Sequence, residues 1–121
     1  MVLVIDDEQA LREVLAEILE IAGISALCAE SGEEGTALFL AHREQVEVIF
    51  LDLHLPGMGG QATFRALRKL DPTIHIIVMS GQPEYLTMAE FSGQEHLSYL
   101  EKPFTLDVLM TRVNNVLDAS S

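Results

Sequence analysis

The chain has no tryptophan, one cysteine, and only 7 lysines and arginines against 19 aspartates and glutamates among its 121 residues. Each shortage excludes something. A single cysteine, Cys28, permits neither an internal disulfide nor a cysteine-built zinc site. It lies in an apolar run and reads as an inert, buried thiol. A net charge of −12 repels phosphate backbones, which argues against direct nucleic-acid binding. It disfavours an anionic membrane surface for the same reason. No apolar run approaches a membrane span. No secretory leader is visible, because acids follow the first few apolar residues at once. The expectation is a cytoplasmic domain without membrane contact. The 4 histidines are scattered without zinc spacing. There is no glycine-rich P-loop, dinucleotide fingerprint, internal repeat or low-complexity segment.

What is present suits one packed domain. The hydrophobic fraction is 49% and the mean hydropathy is +0.26, enough for a core and too apolar for disorder. The domain is expected over residues 1–118, with 119–121 as a tail or the start of a linker. The same pattern fits a free-standing protein or one domain of a longer chain.

The most informative stretch runs from Val48 to Gly60. Val48, Ile49, Phe50 and Leu51 read as a strand buried on both faces. It meets an ionisable residue, Asp52, and then turn chemistry in Pro56, Gly57, Gly59 and Gly60. Asp52 therefore stands at the carboxyl end of an interior strand, where open α/β sheets bind ligands. A carboxylate there is a metal ligand, a nucleophile, both, or a helix cap.

Strand and helix alternate along the rest of the chain. Val2 to Ile5 is a second apolar strand and ends in Asp6-Asp7-Glu8. Leu11, Val14, Leu15, Ile18, Leu19 and Ala22 follow at helical spacing, with Asp7 placed to cap and Gly23 to stop. Ser25 to Ala29 is a weaker strand. Ser31 and Glu34 form a capping box for a helix whose apolar face includes Ala37, Leu38 and Ala41. Phe64, Leu67 and Leu70 mark a third helix, closed by Asp71-Pro72. Ile74 to Met79 is another interior strand and ends in Ser80-Gly81. A poorly patterned helix spans Glu84 to Phe91, with Tyr85 and Phe91 read as packing residues. Leu97 to Leu100 alternates and gives way to Glu101-Lys102-Pro103-Phe104. Thr105 caps a last helix that carries Leu106, Leu109, Val113, Val116 and Leu117 on one side.

Five such alternations imply an α/β fold, a doubly wound five-stranded parallel sheet with helices on both faces. Placing the weaker strands at the edges gives the order 2-1-3-4-5. A crevice then opens between the first and third strands. Asp6 and Asp7, Asp52, Ser80 and Lys102 all fall where a strand stops, at one sheet edge. Three carboxylates within about 5 Å repel by roughly 3 kcal/mol per pair at an effective dielectric near 20. They stay ionised only around a cation; otherwise one takes a proton. An all-oxygen set suits Mg²⁺, with Mn²⁺ or Ca²⁺ as substitutes. Lys102 and the Ser80 hydroxyl suit a phosphoryl group, and a carboxylate beside Mg²⁺ can accept one. Taken singly, each residue has a plainer reading: helix capping for Asp6 and Asp7, a turn for Ser80, a surface ion pair for Lys102.

Asp6-Asp7, Asp52 followed by Leu55-Pro56-Gly57-Met58-Gly59-Gly60, Ser80-Gly81 and Lys102-Pro103-Phe104 together resemble the motif set of CheY-like response-regulator receiver domains. The likeness covers essentially the whole chain. CheY is itself an example of the 2-1-3-4-5 order, so strand order and resemblance are one expectation, not two. The resemblance implies a two-component phosphorelay in which a histidine kinase or phosphotransfer domain gives its phosphoryl group to Asp52. It implies a Mg²⁺ site built from Asp7, Asp52 and the His54 backbone carbonyl, with Asp6 acting through water. It implies phosphate contacts from Lys102, Ser80 and Gly81, and a switch made of Ser80 and Tyr99, whose ring turns inward on phosphorylation.

Several positions depart from the family's commoner residues. His54 and Gln82 flank the phosphoryl position and are expected to set its lifetime. Ser80-Gly81 stands where Ser-Ala or Thr-Ala is commoner. Phe91 to His96 lacks the usual small residues, which implies a short or mobile fourth helix and an altered output surface. Three settings stay open: a free-standing receiver, the receiver of a hybrid sensor histidine kinase, and an unphosphorylated pseudo-receiver that docks a partner. The chain alone is not a conventional enzyme; it promotes its own phosphorylation and dephosphorylation. A phosphatase working through an aspartyl phosphate would need an acid two residues after Asp52, where His54 stands.

Overall fold

The computed structural model describes the backbone of residues 1–120 and the side chains of 1–117. Its strands are β1 (Val2–Ile5), β2 (Ala26–Ala29), β3 (Val48–Asp52), β4 (His75–Ser80) and β5 (Leu97–Glu101). Between and after them lie α1 (Gln9–Ile21), α2 (Gly32–Ala41), α3 (Gly60–Leu70), α4 (Glu84–Ala89) and α5 (Leu106–Ser120). Helix α5 enters the segment expected to be a tail; Ser121, its last residue, lies outside the described residues. All strand pairs are parallel in the order β2-β1-β3-β4-β5. The doubly wound sheet is thus as the strand pattern predicts.

Alternate strand residues feed two cores, one on each face of the sheet. Leu3, Ile5, Ile49, Leu51, Ile76 and Val78 pack with Phe39, Phe64 and Leu67 of α2 and α3. Val2, Val4, Phe50, Ile77 and Met79 pack with Leu15 and Leu19 of α1 and Leu109 and Val113 of α5. Fully apolar strands are needed here because both faces are covered.

The helices correct several expectations. The buried side of α2 is Gly32, Gly35 and Phe39, while Ala37 and Ala41 are exposed. A Cβ on Gly35 would lie 2.4 Å from Ile5 Cδ1, so this helix seats its backbone, not alanine methyls, against β1. Ser31 Oγ accepts from the Glu34 amide at 3.1 Å, but Glu34 Oε1 accepts from the Glu30 amide, leaving the capping box half formed. Asp7 does not cap α1; Glu8 is the N-cap, and Asp6 Oδ1 accepts from its amide at 2.9 Å. Val14, Ala22 and Leu106 face outward, as does Tyr85, which is no packing residue. Phe91 does pack, edge-on against Phe64 with centroids 4.8 Å apart. The fourth helix is short, as its sequence implies.

Candidate functional site

The sheet register brings the ends of the first and third strands together. Ile5 pairs with Leu51, so Asp6 and Asp52 leave adjacent strands side by side. Ser80 ends β4, and the Lys102 amide donates to the Ser80 carbonyl at 2.8 Å, placing Lys102 on the same edge. Gly60 lets α3 start directly under the β3 end: a Cβ there would lie 2.4 Å from Leu53 Cα and 2.8 Å from the Asp52 carbonyl oxygen.

Asp6, Asp7 and Asp52 each offer an oxygen within 4.8 Å of the others. Asp6 is 0% and Asp52 2% exposed; Asp7 sits at the open rim. Lys102 Nζ donates to Asp6 Oδ2 at 2.8 Å and lies 3.6 Å from Asp52 Oδ2 and 3.7 Å from Glu8 Oε1. The His54 amide donates to Asp52 Oδ1 at 3.0 Å. Burial pushes the Asp52 carboxyl above the usual aspartate value. The neighbouring acids push it further, against the pull of the His54 amide and Lys102. Burial works against the Lys102 ammonium, but the hydrogen bond to Asp6 and the charges of Asp52, Asp6 and Glu8 outweigh it, so its proton is held more firmly than in ordinary lysine. The site is therefore an acid cluster held together by one fully charged lysine. Hard carboxylate oxygens at this spacing are compatible with a divalent cation such as Mg²⁺.

The remaining residues converge on Ser80, which is 1% exposed. His54 Nε2 lies 3.2 Å from Ser80 Oγ, and the Gln82 amide donates to that same oxygen at 3.0 Å. The Tyr99 ring is inward, its hydroxyl donating to the Gln82 carbonyl, with the Ser80 carbonyl 3.4 Å away. Gly81 lies in the exposed loop between Ser80 and Gln82 with open space around its Cα.

Three participants escape the sequence pattern. Glu8 contacts Lys102, and Arg12 Nη1 donates to the Asp6 carbonyl at 2.8 Å. Glu8 is exposed and Arg12 half-buried at the start of α1, and neither carries a periodic signal. The third, Thr87, is a buried hydroxyl in α4.

Comparison with known proteins agrees with the geometry. The model of the response regulator receiver domain matches residues 2–114, and the chain belongs to that family. It is 27% identical to sporulation initiation phosphotransferase F of Bacillus subtilis, over 99% of this chain and 95% of that protein. It is 31% identical to sensor kinase CckA of Brucella abortus, over 97% of this chain but 12% of that one. A crystal structure of a receiver domain protein from Clostridium thermocellum superposes with a TM-score of 0.86 at 29% identity, covering 98% of this chain and 94% of that one. The chain spans a quarter to a half of the length of several transcriptional regulators that it also matches. Among the described residues, no helix is long and apolar enough to cross a membrane.

Proposed function

We propose that this receiver domain takes a phosphoryl group from the phosphohistidine of a histidine kinase or phosphotransfer domain onto Asp52. The observation that carries the reading is the convergence of three acid oxygens within 4.8 Å beside the Lys102 ammonium. In the step, an Asp52 oxygen attacks phosphorus and forms the new P–O bond. The P–N bond to the donor imidazole breaks, and its electron pair leaves on that nitrogen. Asp52 acts as the carboxylate, which the Lys102 ammonium favours. Lys102 also faces the oxygens that gather charge during transfer. Asp6, Asp7, Asp52 and, by family likeness, the His54 carbonyl would hold Mg²⁺ or Mn²⁺. Bound there, the ion would neutralise the acids and offset charge on the transferred oxygens.

Ser80 is a buried hydroxyl at the end of β4, on the same sheet edge as the cluster. A phosphoryl oxygen can accept the Ser80 hydroxyl proton, drawing Oγ away from His54 Nε2 and from the Gln82 amide that donates to it. Ser80 and Gln82 in turn supply the carbonyls that face the Tyr99 hydroxyl. Displacing Ser80 therefore biases Tyr99 and the surface made by α4, β5 and α5, a shift between two packings. The His54 ring lies against Ser80 Oγ, and by family likeness the side chains of His54 and Gln82 flank the phosphoryl position; we assign them control of the phosphoryl lifetime. The likeness to sensor kinase CckA supports a second setting for the same chemistry, as the receiver segment of a hybrid kinase, with kinase activity residing elsewhere in that polypeptide.

Acetyl phosphate with Mg²⁺ tests the reading by intact-mass spectrometry. The wild type gains one acid-stable, base-labile phosphoryl group, and Asp52→Asn gains none. Equal labelling of both proteins would remove Asp52 from its role. Unchanged dephosphorylation of His54→Ala and Gln82→Ala would remove those two from theirs.

A further inference from the structure

Arg12 is a cation in a place that helix formation does not favour. It stands in the opening turns of α1, where the positive end of the helix dipole opposes it. Its side chain is 16% exposed, and Glu30 Oε2 lies 4.0 Å from Nη2 on a side chain 69% exposed, an ion pair of little worth. What fixes the guanidinium is the Asp6 carbonyl, which accepts from Nη1 at 2.8 Å.

The sheet explains why that carbonyl needs a donor. The amides of Val2 and Asp6 donate to the carbonyls of Ser25 and Ala29, so alternate residues of this chain segment turn their backbone groups toward β2. But β2 ends at Ala29, and α2 begins at Gly32. The ladder stops one step short of the carbonyl of the fully buried Asp6, and Arg12 supplies the donor there. A planar peptide joins that carbonyl to the Asp7 amide. The Asp6 carboxylate has anchors of its own in the Lys102 ammonium and the Glu8 amide. Asp7 is exposed at the rim, and its direction starts from the shared peptide. We infer that Arg12 is a positioning residue for the divalent cation: by holding the Asp6 carbonyl it fixes the Asp6–Asp7 peptide plane, and so aims the Asp7 carboxylate at the ion. Arg12 itself touches no reacting atom. The inference rests on the reading of Asp6, Asp7 and Asp52 as a cation site.

Binding of Mn²⁺ alone, followed by the electron paramagnetic resonance signal of the free ion, tests this without any phosphoryl donor. Wild type, Arg12→Met, Asp7→Asn and the double variant are compared. Arg12→Met keeps an apolar stem and loses the donor. Removing a positive charge near three acids should by itself tighten cation binding, whereas misdirecting Asp7 weakens it, so the sign separates charge from position. Arg12→Met should bind Mn²⁺ about tenfold more weakly than wild type, the effect of losing a group that orients a metal ligand. In the Asp7→Asn background the same substitution should change affinity by less than about twofold, because its effect runs through Asp7. Melts in chelator identify the folded variants, and Arg12→Gln, neutral and with a shorter reach, takes the place of Arg12→Met if that protein does not fold. Arg12→Met binding as tightly as wild type or tighter, or an equal tenfold loss in both backgrounds, overturns the inference and leaves the cation site standing. Asp7→Asn binding Mn²⁺ like wild type removes the cation-site reading itself, and the role of Arg12 with it.

Discussion

Asp52→Asn should make the metal-free domain more stable near neutral pH, although it removes the residue on which the proposed activity depends. Like charges at the 4.8 Å limit of the cluster repel by roughly 3.5 kcal/mol at an effective dielectric near 20. Lys102, at 3.6 Å, returns roughly 4.6 kcal/mol at that dielectric. Asp6 and Asp7 both act against Asp52, with Asp7 weakened by water, and burial of Asp52 adds its own cost. The balance favours the amide by about 1–2 kcal/mol, or about 3–8 °C in melting temperature for a domain of this size. The sign with pH follows from the raised Asp52 pKa. The folded protein binds that proton more tightly than the unfolded chain. Wild-type stability is therefore lost as pH rises from the unfolded aspartate value through the folded one. The advantage of Asp52→Asn should accordingly vanish below about pH 3.9. Mg²⁺ should reverse the order. At 100 times its dissociation constant a ligand stabilises by about 2.7 kcal/mol, and the wild type should gain most of this while the variant gains little. Calorimetry in chelator and in Mg²⁺ is the assay. A variant less stable than wild type in chelator, with equal Mg²⁺ shifts in both, would refute the electrostatic reasoning.

Gly60→Ala should destabilise by about 1–3 kcal/mol through overpacking against Leu53. It should also slow labelling by acetyl phosphate, because the contact lies under Asp52. Arg68 donates to the carbonyls of Ile74, Glu95 and His96 and lies 5.0 Å over the Phe64 ring. Arg68→Ala should cost about 2–4 kcal/mol, mainly the part-buried charged hydrogen bond to Ile74, worth about 1.5–3 kcal/mol, because the exposed carbonyls of Glu95 and His96 regain water, and it should speed amide exchange over residues 91–97. Burial lowers the His75 pKa, helped by His96 and Arg68, and its ring faces Ser98 Oγ at 2.7 Å. Stability should therefore fall as pH drops below the unfolded histidine value of about 6.5, and urea titrations of His75→Gln should show a flatter dependence.

The sheet was legible because burial on both faces demands uninterrupted apolar strands, and Val2 to Ile5, Val48 to Leu51 and Ile76 to Met79 supply them. Asp6, Asp52, Ser80 and Lys102 were legible for the same reason, each marking where such a run stops or just after. The α2 face was not, because Gly32 and Gly35 pack through the absence of a side chain and carry no hydrophobic signal. Asp7 resembles a cap in sequence, but Asp6 reaches the Glu8 amide first. Arg68 and Thr87 were invisible for a tertiary reason. The partners of Arg68 lie up to 28 residues away, and Thr87 belongs to a helix too short to show a period.

The central claim is that the side chain at residue 52 accepts phosphorus inside the Asp6–Asp7–Lys102 cluster. Borohydride reduction after acetyl phosphate treatment converts an aspartyl phosphate to homoserine, and peptide mapping then locates it. Homoserine at residue 52 alone, dependent on Mg²⁺ and reduced in Lys102→Met, is the predicted result. Homoserine at residue 6 or 7 instead, or labelling indifferent to Mg²⁺, would contradict the account.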